Sequence, residues 1–144
     1  MFELASLQPG ETVVDLGSGD GRIVIAAARD FHARAFGVER RKRLVEESRR
    51  KIKDMGLIGR AKIVEGTFRK TSLKGVDVVA TYLSGYTLGL LVPIFERDLK
   101  PGARVVNFDF PILEWKPTKE IELVPKGWRK PHSMYLYEMP AAVR

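Results

Sequence analysis

The chain has 144 residues, with 25 Lys and Arg against 18 Asp and Glu, and no cysteine. That length supports one domain with one sizeable core, and the absence of thiols excludes disulfides, thiolate metal sites and a cysteine nucleophile. The net charge of +7 favours an acidic partner without separating nucleic acid from acidic protein, and it describes an ordinary soluble surface equally well. No apolar run approaches the roughly 20 residues of a membrane span, and Glu3 interrupts any signal-peptide pattern at the start. The expected compartment is the cytoplasm.

Residues 2 to 7 carry apolar side chains at 2, 4, 5 and 7 and read as the tail of a helix that Pro9-Gly10 breaks. A strand at about Thr12 to Leu16 runs into Gly17-Ser18-Gly19-Asp20-Gly21, and an apolar helical pattern continues to Asp30. Glycines at alternate positions let the backbone turn sharply and approach a ligand closely. A dinucleotide fingerprint would need its third glycine at position 22, which is Arg22. A phosphate-cradling loop would need a Gly-Lys-Ser/Thr ending, and none occurs. Asp15 adds negative charge where a phosphate would be repelled, so the ligand is neutral or cationic there. S-adenosylmethionine fits, having an ammonium, a sulfonium and a ribose but no phosphate. Asp15, Gly17, Ser18, Gly19 and Gly21 are its candidate contacts.

Arg34 to Glu39 reads as a second strand ending on an acid 18 residues after Gly21. An acid at this place in a nucleoside-binding α/β unit accepts hydrogen bonds from ribose hydroxyls, because each carboxylate oxygen can take one hydroxyl proton. The competing reading is a surface Glu39 paired with Arg40 or Arg41. From Arg41 to Met55 an amphipathic helix presents Leu44, Val45, Ser48, Ile52 and Met55 on one side and lysines and arginines on the other. Ala61 to Gly66 is a third strand. Only seven residues, Arg69 to Gly75, precede a fourth strand at Val76 to Tyr82, so the intervening crossover helix is vestigial. Tyr86 to Leu99 is a helix that Pro93 either kinks or begins, and Arg104 to Phe110 is a fifth strand. Glu120 to Val124 and Ser133 to Glu138 then alternate without a helix between them, which predicts an antiparallel pair. The expected fold is α/β: a doubly wound, seven-stranded, Rossmann-like sheet, mostly parallel with an antiparallel C-terminal hairpin, in a single domain over residues 1–144.

The segment Asp15-Leu16-Gly17-Ser18-Gly19-Asp20-Gly21-Arg22-Ile23 resembles the opening motif of class I methyltransferases. Within them it is similar to the archaeal protein-lysine methyltransferases related to the mitochondrial ATP-synthase c-subunit lysine methyltransferases. The similarity continues at Gly37-Val38-Glu39, Leu99-Lys100-Pro101-Gly102-Ala103-Arg104-Val105-Val106, Phe110-Pro111-Ile112 with Trp115, and Tyr135-Leu136-Tyr137. This resemblance implies that adenine sits at the end of the third strand. Thr67 stands where the family often carries Asp, and either its hydroxyl or the backbone meets the adenine amine, while Phe68 either stacks on adenine or joins the core. The strand-five motif, often Ser-His in the group, is Asn107-Phe108 in this chain. Members usually carry a further N-terminal segment whose helix helps close the pocket; residues 2 to 7 are expected to be its last turns.

Methyl transfer from a sulfonium requires a nucleophile with a free lone pair and little from the protein beyond placement. The acceptor mouth is expected beyond the C-terminal ends of strands four and five. Tyr82 there either lines an amine channel or packs, Asn107 either orients the amine or satisfies backbone groups, and Asp109 either attracts a cation or is a surface acid. These make Tyr82 and Asn107 the candidate catalytic residues. His32 and His132 have no partnering acid pattern and read as structural or solvent-facing, and no metal-ligand cluster is visible. The Asp/Asn-Pro-Pro-Tyr/Phe motif common in enzymes that methylate base amines is absent at Ala80-Thr81-Tyr82-Leu83. The expected function is S-adenosylmethionine-dependent methylation of exposed lysines on other proteins by a monomer, with weak nucleic-acid contact through the basic surface and no membrane. The alternatives are methylation of RNA or a small metabolite, and a catalytically silent module that binds cofactor or nucleic acid.

Overall fold

The computed structural model describes residues 1–144. Valines and isoleucines dominate the strands because branched side chains suit a pleated, buried surface. In β1 (Thr12–Leu16), successive residues feed opposite faces: Val13 joins one apolar core and Val14 with Leu16 the other. A strand buried on both faces belongs at the centre of a sheet covered on both sides.

The first face is closed by α1 (Arg22–Phe31) and α2 (Lys42–Asp54). Val24, Ile25, Ala27 and Ala28 of α1 and Val45 and Ile52 of α2 pack there. The amphipathic pattern of α2 holds at Val45, Ser48 and Ile52, with its basic side outward, but the helix ends at Asp54 and Met55, expected on the apolar side, is exposed. Between these helices runs β2 (Arg34–Glu39), followed after α2 by β3 (Ala61–Glu65). A single 3₁₀ turn at Phe68–Lys70 is all that remains of a crossover helix before β4 (Val78–Thr81). The second face is closed by α3 (Gly85–Asp98), which is capped by Ser84 Oγ accepting from Thr87 N at 3.3 Å and continues through Pro93. Leu88, Leu91 and Phe95 of α3 fill the second core.

After β5 (Arg104–Phe108), the two-residue β6 (Trp115–Lys116) precedes β7 (Lys119–Leu123) and β8 (His132–Glu138); β9 (Ala142–Val143) ends the chain order. The main sheet has the order β3-β2-β1-β4-β5-β8-β7. Its first five strands are parallel, while β8 pairs antiparallel with both β5 and β7. The expected seven-stranded, mostly parallel sheet with an antiparallel C-terminal hairpin is present. No helix is long and apolar enough to cross a membrane.

Three local expectations are corrected. Residues 2–6 form consecutive turns, not the end of a helix; Ser6 has φ 54°, a left-handed backbone that ends any α-helical continuation. Phe2, Ala5 and Leu7 are nevertheless buried in the first core. β5 stops at Phe108, two residues early, because Asp109 has φ 70°. The β6–β9 ribbon has no counterpart in the sequence pattern, since two-residue strands show no period. It forms where Trp115 is buried against Phe95 and Tyr137.

Candidate active site

The glycine loop leaves β1 at the C-terminal edge of the sheet, where parallel α/β folds bind ligands. Gly17, Gly19 and Gly21 have φ of 82°, 57° and 84°, a region that residues with a Cβ adopt only at a cost. At Gly21 a Cβ would also stand 2.8 Å from Ser48 Cβ of α2, and at Gly37 of β2 it would collide with the Ser18 side chain. The alternating glycines thus turn the chain sharply, Gly21 also admits α2, and Gly37 of β2 makes room for the Ser18 side chain.

Glu39 ends β2 with only 3% of its surface exposed. Gly19 N–H donates to its Oε1 at 2.9 Å and Arg41 N–H to its Oε2 at 2.9 Å. The exposed Arg41 guanidinium reaches both oxygens, at 3.1 and 3.3 Å. Burial alone would push the Glu39 carboxyl up, but the Arg41 side chain together with the backbone N–H groups of Arg41 and Gly19 holds it below its ordinary value. Glu39 pairs with Arg41, not Arg40, but it is buried, not a surface acid, and it lines a cavity. Each carboxylate oxygen has two lone pairs, one committed to a part-buried backbone N–H and the other shared with a solvent-exposed guanidinium. That second pair is available to a diol.

Asp15 is 3% exposed and has no cationic partner. Burial, followed by the nearby charges of Glu39 and Asp20, raises its carboxyl to about 7. A buried acid in this condition favours a cation beside it. By contrast, Asp20 is clamped by the Arg22 guanidinium at 2.7 Å and lies at about 2. Ser18 Oγ is buried without a hydrogen-bond partner.

Two cavities flank the loop. One, of about 580 Å³, is lined by Gly17, Glu39, Thr67, Phe68, Leu83 and Thr87 among others. The second, of about 680 Å³, is lined by Asp15, Ser18, Gly19, Phe108, Trp128 and Met134 among others. Gly17, Arg41 and Tyr82 belong to both. The structure thus gathers Thr67 and Phe68 on the Glu39 side and Asp15 with Ser18 on the other, with Tyr82 between. The residues fit the chemistry of S-adenosylmethionine: diol acceptors in one cavity, and an uncompensated buried acid with an unpartnered hydroxyl in the other.

Asn107 is placed differently. It is fully buried, and its Oδ1 accepts from Leu83 N at 3.2 Å and from Thr81 Oγ1. Its Nδ2 donates to Leu83 O, Phe108 O and Phe110 O, the last at 2.7 Å. It lines neither cavity and ties together the loops after β4 and β5. Sequence reasoning missed Arg41 as a wall of both cavities and Trp128 as a wall of the second. The signals were a cation two residues after Glu39 and a lone aromatic between Lys126 and Lys130. No cluster of three or more His, Asp or Glu side chains could hold a metal.

Comparison with known proteins agrees with this geometry. The family model described as the ANTKMT methyltransferase domain matches residues 15–119. The chain is similar to a protein-lysine N-methyltransferase of Saccharolobus islandicus (strain REY15A), with 41% identity over 138 residues, 95% of this chain and 84% of the relative. It is similar to the adenine nucleotide translocase lysine N-methyltransferase of Mus musculus, with 36% identity over 110 residues, 76% of this chain but only 48% of that protein. The chain thus spans most of the archaeal relative and about half the length of the mammalian one. Among solved structures it superposes on an RNA methyltransferase from Salinibacter ruber in complex with S-adenosyl-L-homocysteine. The TM-score is 0.90 at 33% identity, covering 99% of this chain and 90% of that one. On the glycine loop, Glu39 and these matches, the chain belongs to the ANTKMT methyltransferase-domain family and is an S-adenosylmethionine-dependent methyltransferase.

Proposed function

We propose that this methyltransferase acts on lysine side chains of other proteins. The observation that carries the reading is the 41% identity, across 95% of this chain, to the protein-lysine N-methyltransferase of Saccharolobus islandicus. When bound, S-adenosylmethionine supplies an electrophilic methyl on its sulfonium. Glu39 would hold its ribose hydroxyls, Asp15 its ammonium, and Thr67 with Phe68 its adenine.

The chain must also prepare the nucleophile. Lysine has a reference pKa of about 10.4, so rendering it neutral at pH 7 costs about 4–5 kcal/mol. A partly desolvated cleft lowers that cost by disfavouring the charged amine. Tyr82, 56% exposed and common to both cavities, lines the amine channel in this reading; Asn107 holds the loops that carry it. The protein works as a monomer in the cytoplasm. Lys119, Glu120 and Glu122 on edge strand β7 support the monomer, since charged edges resist sheet extension.

A second reading, RNA as acceptor, is favoured by the relative from Salinibacter ruber and by Lys126, Arg129 and Lys130. These exposed cations flank Trp128 and have no acidic partner within 4 Å. Incubation with methyl-labelled S-adenosylmethionine and a mixture of protein and RNA, followed by separate protease and nuclease digestion, decides between them. Label in lysine is expected. Label confined to RNA overturns the lysine reading.

A further inference from the structure

Behind the wall of the larger cavity lies an acid–imidazole pair 23 residues apart in sequence. The left-handed turn at Asp109, held by its N–H donating to Ser133 O at 2.7 Å, directs the carboxylate toward β8. There His132 Nδ1 lies 2.8 Å from both carboxylate oxygens. Tyr82 Oη donates to Oδ2 at 3.3 Å. No lysine or arginine neutralises Asp109. The His132 ring stacks on Phe108, centroids 5.3 Å apart and planes 13° from parallel, and meets Trp128 edge to face at 4.2 Å. Tyr82 and Phe108 are 5.3 Å apart. Tyr82, Phe108 and Trp128 all line the cavity that contains the glycine loop, and Trp128 remains 49% exposed.

Three aromatic rings backed by a carboxylate whose only basic neighbour is the His132 imidazole, with no lysine or arginine on it, form an environment for a cation. Ring faces attract positive charge through their quadrupole, and the carboxylate adds a full counter-charge. Neither feature favours a neutral group of the same shape. Because Tyr82 donates its proton to Asp109, its oxygen lone pairs are left to accept an N–H.

We propose that Asp109, behind Tyr82, Phe108 and Trp128, is the counter-ion of a binding subsite that receives the acceptor's primary alkylammonium group before it loses its proton and moves into the desolvated cleft, with His132 positioning the carboxylate. The proposal rests on the lysine reading and assigns it a pocket. Tyr82 touches the amine and is the catalytic residue of the group. His132 acts through Asp109 and is a positioning residue.

The probe is n-butylammonium chloride, titrated into protein saturated with S-adenosylhomocysteine and followed by tryptophan fluorescence, with Trp128→Phe as the blank. A saturable change is expected, with n-butanol failing to match it. Asp109→Asn raises the dissociation constant at least tenfold; asparagine tolerates the left-handed turn, and unchanged S-adenosylhomocysteine affinity reports an intact fold. With a lysine-bearing protein as acceptor, His132→Ala raises KM for the acceptor but not for S-adenosylmethionine. His132→Asn, which restores an N–H donor to Asp109, recovers it. Equal affinity for n-butylammonium and n-butanol, or equal affinity in wild type and Asp109→Asn, overturns the subsite. Lysine methylation with unchanged acceptor KM in Asp109→Asn overturns the subsite and leaves the lysine reading standing. Saturable n-butylammonium binding without any lysine methylation overturns the lysine reading and, with it, the subsite's role for the acceptor.

Discussion

The N–H of Gly19 donates to Glu39 Oε1 at 2.9 Å, fastening the glycine loop to the end of the neighbouring strand. One carboxylate therefore shapes the loop and faces the ligand. Glu39→Ala removes the acceptor that fastens the part-buried Gly19 N–H, which costs about 1 kcal/mol of stability, and removes both oxygens proposed to hold the ribose. Glu39→Gln keeps an acceptor for Gly19. Calorimetry with S-adenosylmethionine is expected to show at least a thirtyfold loss for Ala and a smaller one for Gln, with a lowered melting temperature for Ala alone. Wild-type affinity in both variants would remove Glu39 from the site.

Gly21→Ala tests the close approach of the loop to α2. The new methyl would meet Ser48 Cβ at 2.8 Å while the backbone stays at φ 84°. Overpacking and left-handed strain together predict a destabilisation of about 2–4 kcal/mol. Gly10, also at positive φ (81°) but with nothing within 4 Å of a built Cβ, serves as the control: Gly10→Ala carries the backbone strain alone and is expected to lose less. Thermal unfolding of the two variants provides the comparison.

Asp15 makes stability and cofactor binding pH-linked. Its folded carboxyl titrates at about 7 against an ordinary 3.8. Between those values the folded state keeps a proton that the unfolded chain has released, so stability falls as pH rises from about 4 to 7. Asp15→Asn is expected to flatten that slope and to raise the melting temperature at pH 8 by about 3–5 °C, while weakening cofactor binding. A cationic ligand that ionises Asp15 releases about half a proton at pH 7. Calorimetry in buffers of different ionisation enthalpy measures that release.

Asp98 behaves oppositely. Its Oδ1 pairs with Arg97 at 2.7 Å and its Oδ2 accepts from Leu73 N at 2.9 Å, which holds the carboxyl at about 2. Its folded value lies below the unfolded one, so its contribution is complete above about pH 4 and is lost as pH falls toward 2. Asp98→Asn is expected to lower stability at pH 7 by about 1–2 kcal/mol and to make the acid limb shallower. Urea titrations at pH 7, 4 and 3 read both effects.

The sheet was legible because its signals are local. Val13 and Val14 feed two faces, which requires helices on both. The glycine spacing from Gly17 to Gly21 excludes a dinucleotide loop before any contact is known, and Glu39 stands at the end of β2 where the pattern put an acid. These depend on backbone period and steric freedom, which a short stretch carries by itself.

Other features depend on which distant residues meet. Asn107 and Thr81 are paired by the β4–β5 register, so whether Asn107 opened to the acceptor or joined loops was decided by registry. Asp109 read either as an acid that attracts a cation or as a surface acid, and His132 as an unpartnered histidine. The left-handed turn at Asp109 and the β5–β8 pairing bring them to 2.8 Å. The sequence by itself determined the sheet, the glycine loop and the acid that ends β2 beside it, because each is encoded within one strand and turn. Only the tertiary structure decided what stands opposite the donor, because that wall is assembled from β4, β5, β8 and the loop bearing Trp128, and no local pattern specifies their meeting.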